Sequence, residues 1–181
     1  MAKIGITIHY RFIRSEEPEY LMKEIEENVK KLGVEVIERG WNKLILLPHP
    51  KCESITLHWH KWKTIKARKE DWDYERETMK KFEEELDDDA WICAGFTKTQ
   101  YAGVKAHMTT VEILRKVGSR CTFSIVSDEA DYYETGFQEE SIDKLEEEFG
   151  ESTKMIEGIG TALKEMYGKD RVITGSDLGG K

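Results

Sequence analysis

Two polar segments carry residue types able to bind or transform a small anion. The first, residues 97–101, places Thr97, Lys98, Thr99, Gln100 and Tyr101 in a row, followed by Ala102, Gly103 and a helical pattern. Two hydroxyls, an amide, a phenol and an ammonium at the head of a helix can hold a phosphate or carboxylate through side chains and backbone N–H groups. The ordinary alternative is a strand-to-helix turn with Thr99 as its N-cap. The second segment, residues 127–134, reads SDEADYYE. With Lys98 facing Asp128 or Glu129, a cation beside carboxylates would serve proton transfer or hold Mg²⁺ through oxygen ligands. Lys98, Asp128 and Glu129 are therefore the catalytic candidates. Thr97, Thr99, Gln100 and Tyr101 are the ligand-binding candidates, joined by Arg11 and Arg14 from the first strand. The alternative for the acidic segment is a solvated loop. Neither is a diagnostic motif: there is no glycine-rich phosphate fingerprint, no ordered calcium loop and no GxSxG elbow.

The segment HWHKWK at 58–63 has the most unusual composition in the chain. In a strand, His58 and His60 project from one face and can share a transition metal such as zinc, provided a further ligand comes from His9, His49 or Cys52. Trp59 and Trp62 interleaved with Lys61, Lys63, Lys66, Arg68 and Lys69 also suggest single-stranded RNA, through stacking and phosphate contacts. A regular strand turns the two tryptophans to opposite faces, so only one can stack on a base. A third reading is a surface that pairs with a second copy of the chain. His107, one residue before Met108, reads as a boundary histidine rather than a ligand.

These groups need a scaffold, and the hydrophobic periodicity outlines one. Ile4, Ile6, Ile8, Tyr10 and Phe12 alternate with polar residues, which predicts a strand over 3–13. Leu21, Met22, Ile25, Val29 and Leu32 recur at helical spacing, with Gly33 placed as a C-terminal cap. Residues 34–39 and 44–47 predict a hairpin, and 54–66 a long strand carrying Ile55, Leu57 and Trp59 on one side. Trp72, Met79, Phe82 and Leu86 share a helical face. The apolar run 91–96, the helical pattern 104–117 and the run 121–126 predict a βαβ unit with a parallel strand pair, so that both polar segments emerge at one sheet edge. Residues 4–39 have a similar outline, which raises the idea of a duplicated unit. Two helices follow, around 142–149 and from Ser152 to Met166, then a short edge strand at 171–174 and a loose tail at 175–181.

The expected architecture is one α/β (or α+β) domain, a mixed sheet of about six or seven strands with helices packed on it. The chain has 181 residues, enough for a sizeable core. Its net charge of −8 argues against general affinity for nucleic acid or anionic lipid. No apolar run has the length of a membrane span, and the start lacks a signal-peptide core, so a cytoplasmic location is expected. Three cysteines, widely spaced and without CxxC, fit a reducing compartment. The 26 Glu and 20 Lys against two Asn and two Gln fit a heat-adapted source. The leading functional expectation is a small anionic ligand, bound or transformed at the sheet edge. RNA binding and homo-oligomeric interaction are the alternatives.

Overall fold

The computed structural model describes residues 6–66, 86–135 and 139–167. Its elements in chain order are β1 (Thr7–Arg14), α1 (Glu19–Lys31), β2 (Glu35–Arg39), β3 (Lys43–Leu47), β4 (Ile55–His58), β5 (His60–Lys61) and α2 (Trp62–Lys66). There follow β6 (Trp91–Lys98), α3 (Val104–Gly118), β7 (Phe123–Asp128), α4 (Tyr132–Thr135) and α5 (Glu139–Tyr167). The predicted helix around 70–86 lies almost wholly outside the described residues, as do the strand at 171–174 and the tail.

The architecture is mixed α and β, but the strands form two antiparallel sheets rather than one mixed sheet. The four-stranded sheet runs β5-β6-β1-β7 and the three-stranded sheet β2-β3-β4. β6 and β7 point the same way, as expected, yet they are not neighbours. β1 lies between them and is antiparallel to both. The crossover helix α3 therefore bridges over an intervening strand, and the predicted parallel pair does not form. Periodicity cannot foresee this, because strand, helix, strand has the same pattern whether or not a third strand inserts. The duplicated unit also fails, since β1 and β2 belong to different sheets.

The pleat of β1 follows its sequence. Ile8, Tyr10 and Phe12 face the main core with Leu21, Met22, Ile25 and Val29 of α1, and Val111, Leu114 and Val117 of α3. Gly33, at φ +74°, takes the left-handed turn that ends α1. The predicted strand 54–66 breaks at Trp59. β4 belongs to one sheet and β5 to the other, and α2 starts at Trp62. Ile55, Leu57 and Trp59 are fully buried in the main core, while Trp62 joins Ile13, Ala90 and Ile92 in a smaller cluster on the opposite face of the four-stranded sheet. The two helices expected after 141 are one continuous helix running through Gly150.

At the junction between the sheets, side chains from the four-stranded sheet bond the backbone of β4 at Thr56 and of Glu53 just before it. Tyr10 Oη donates to Thr56 O at 3.0 Å and accepts Thr56 N–H at 3.1 Å. Thr97 Oγ1 donates to Glu53 O at 2.9 Å. The Tyr10 ring lies across β6 at Gly95, where a Cβ would stand 2.6 Å from the phenol oxygen. Glycine is needed at 95 for that close approach, and the approach pairs both backbone groups of Thr56 at the sheet junction.

Candidate functional site

The carboxyl ends of β6 and β7 flank the start of β1, and their loops pin it. Ile6 N–H donates to Gln100 Oε1 and Thr99 N–H to Ile6 O, each at 3.0 Å. On the other side Thr7 N–H donates to Glu129 Oε2 at 2.8 Å, and Glu129 N–H to Thr7 O at 3.1 Å. Gln100 and Glu129 thus hold β1 in place. The pleat then separates the catalytic candidates. Lys98 is paired with Thr7 and exposed on the outer face, whereas Asp128 is paired with Ile8 and buried on the core face. Lys98 and Glu129 share the outer row but stand two strand spacings apart, about 10 Å. Arg11 lies mid-strand opposite Ala94 and Ile125, and Arg14 opposite Trp91 at the far end of β1. Arg14 is buried there, donating to Glu16 O at 2.9 Å and Arg120 O at 3.1 Å. The two arginines therefore do not join this edge.

What does assemble is a buried polar relay that includes a residue the sequence reading set aside. Thr99 Oγ1 lies 2.8 Å from His107 Nδ1, and His107 Nε2 lies 3.0 Å from Asp128 Oδ2. Thr99 and His107 are fully buried and Asp128 is nearly so. An ionised carboxylate only accepts, so Nε2 carries a proton toward Asp128. Asp128 also accepts Ala130 N–H at 2.9 Å and Tyr133 N–H at 3.0 Å. Burial alone would raise the Asp128 pKa. The His107 hydrogen bond and charge, with the two N–H donors, outweigh it and hold the carboxyl below its ordinary value. The relay ties both loops to α3. The signal for His107 was in the sequence: 104, 107, 108, 111 and 114 form one helical stripe, which puts the histidine among core residues.

Open space lies beside this relay. A cleft of about 580 Å³ has Gln100, Tyr101, Gly103 and Val104 on one wall and Phe149, Thr153, Lys154, Ile156 and Glu157 of α5 on the other. Phe149 separates the cleft from His107, their rings 5.6 Å apart. Gly103, at φ +85°, precedes α3 without a side-chain cap, and the first turn of α3 has no acidic residue. The first intrahelical bond runs from His107 N–H to Gly103 O, so the amides of 104–106 have no partner of that kind. Thr99, expected as the cap, is spent on His107. The cleft thus combines an aromatic and aliphatic lining with a helix head and a lysine. Lys154 and Glu157 escaped the sequence reading because only the packing of α5 brings them to the loop.

At the opposite end, His58 and His60 lie with ring centroids 4.0 Å apart, although they belong to different sheets. Burial, then the nearby Lys43 charge, lowers the His58 pKa, which favours the neutral imidazole. Among the described residues no group of three His, Cys, Asp or Glu side chains is placed to hold a metal. Trp59 is fully buried and Trp62 2% exposed, so neither presents a ring to a base. Lys61 and Lys63 both pair with Asp89, at 3.5 and 3.1 Å. Among the described residues no helix is long and apolar enough to cross a membrane. No family model matches this chain, and neither a curated protein nor a solved structure matches it.

Proposed function

We propose that the chain binds a small molecule in the cleft between the 100–104 loop and α5, and that the ligand has an aromatic or aliphatic body and one anionic end. The single observation carrying this reading is the cleft itself, about 580 Å³ at the uncapped head of α3, within the size range of small-molecule sites. Partial positive charge on the first-turn amides and the Lys154 ammonium favour a carboxylate or phosphate. Tyr101, Phe149 and Ile156 suit the apolar body, and Glu157 disfavours a second anionic group. The reading is of binding, because the hydrogen-bonded relay Thr99–His107–Asp128 is buried away from the cleft. The free cysteines and the Glu- and Lys-rich composition support a reducing cytoplasm and a heat-adapted source as its setting.

The test is a thermal-shift and calorimetric screen of aromatic carboxylates, aryl phosphates and inorganic phosphate against the full chain and Lys154→Ala. A ligand specific for the native state raises Tm by mass action. We expect aromatic anions to bind more tightly than inorganic phosphate and Lys154→Ala to weaken them by about tenfold, the effect of losing ~1.5 kcal/mol from a charge-assisted bond. A panel without any shift, or equal binding by the variant, would remove the reading.

A further inference from the structure

Two sheets of this size have four edges, and three of them are closed to pairing. β5 is two residues long and runs straight into α2. Midway along β4 both outward groups of Thr56 are taken by Tyr10, and Thr97 holds Glu53 O just before the strand. β2 has an irregular register between Val36 and Glu38 and displays Glu35, Glu38 and Arg39, devices that discourage edge pairing. The fourth edge, β7, has none of these. Its first five residues, FSIVS, carry no charge, no proline and no register shift against β1.

The ladder shows which groups are on offer. Glu129 N–H bonds to Thr7 O, so the hydrogen-bonded pairs with β1 alternate through Ser127, Ile125 and Phe123. The N–H and C=O groups of Ser124 and Val126 therefore point away from the sheet, and among the described residues none bonds to them. We propose that this edge pairs with β7 of a second copy of the chain, antiparallel about a two-fold axis at Ile125, joining two four-stranded sheets into one of eight strands.

The choice of a second copy rests on self-complementarity. With Ile125 opposite Ile125 of the second copy, Ser124 stands opposite Val126 and the four outward groups of each copy satisfy one another. The antiparallel axis also brings the end before β7, with Arg120, near the other copy's turn after β7, with Asp131. Their exposed pairs with Glu24 and Lys144 leave both side chains about half accessible. A parallel arrangement would set like charges together. Six-residue edges bury little area, so the dimer is a weak one that forms with concentration.

Sedimentation equilibrium tests this directly. The wild-type mass should rise across micromolar concentrations toward twice the chain mass of 21.1 kDa. Ser124→Pro removes one outward N–H per copy without touching the β1 ladder, and should weaken association about tenfold or more. Ser124→Ala keeps the N–H and should leave association unchanged. Ile125→Lys places two ammonium groups across the axis and should abolish the dimer while circular dichroism stays native, which covers the case in which the proline variant does not fold. A wild-type monomer at every concentration overturns the proposal. So does a dimer that survives Ile125→Lys, or one that Ser124→Ala removes.

Discussion

Replacing Asp128 by Asn keeps the side-chain shape and takes one acceptor oxygen from a group that serves three donors. Oδ1 accepts Ala130 N–H, and Oδ2 accepts both Tyr133 N–H and His107 Nε2. If the new amide carbonyl sits at the Oδ2 position, its NH2 opposes Ala130 N–H. In the other orientation the NH2 opposes Tyr133 N–H. The first orientation strands one buried donor, and the second opposes His107 Nε2–H as well. At least one donor is stranded, costing about 1–3 kcal/mol, and the carboxylate's charge assistance to His107 is lost, for which a charged hydrogen bond's worth of about 1.5–3 kcal/mol is the scale. The expected destabilisation is about 3–5 kcal/mol at neutral pH, as for other broken buried pairs, a large share of a typical folding free energy. Urea unfolding of both proteins measures it. The pH dependence has a definite sign. The folded-state pKa of Asp128 is lowered, so its contribution is complete above the unfolded carboxylate value, about 3.9, and disappears as pH falls through the folded value. The stability gap between wild type and Asp128→Asn should therefore narrow at pH 3 and below. A gap under about 1 kcal/mol at pH 7, or one that stays constant into acid, would refute the reasoning.

Gly95→Ala should destabilise by about 1–3 kcal/mol through overpacking, because its Cβ would meet the Tyr10 phenol at 2.6 Å. Tyr10→Phe, which orphans Thr56 N–H and C=O, should show a non-additive double-mutant cycle with it, and strict additivity would count against a shared contact. Gly103→Ala meets no atom within 4 Å, so its cost should be only the backbone strain of φ +85° with ψ 174°, about 1–3 kcal/mol, read from the urea midpoint. Burial pushes Cys52 and Cys121 up to about 11 and the Cys93 thiol higher still. Native protein at pH 7 should therefore react slowly with a thiol reagent, with Cys93 last, and rapid stoichiometric labelling would contradict the packing. Labelled single-stranded RNA should show no salt-sensitive binding in fluorescence anisotropy, since Trp59 and Trp62 are buried and Lys61 and Lys63 are paired with Asp89.

The sequence by itself determined the elements whose pattern is local. The alternation of Ile6, Ile8, Tyr10 and Phe12 set the core face of β1, helical spacing placed α1 and α3, and Gly33 marked the end of α1. It also determined that the loops after β6 and β7 lie at one end of a sheet, because the crossover helix between them reverses the chain twice. Only the tertiary structure decided what lies between those strands. Insertion of β1 costs no change in the pattern of β6, α3 or β7, and it sent Lys98 and Asp128 to opposite faces. The break at Trp59 was likewise invisible, since a strand that crosses from one sheet to another keeps its period of two. His107 needed both kinds of information: its spacing put it on the buried stripe of α3, but only the fold supplied the hydroxyl and the carboxylate that make burying an imidazole affordable. The cleft wall from α5 came last of all, because Lys154 lies 50 residues or more from the loop it faces and nothing in the intervening sequence encodes that distance.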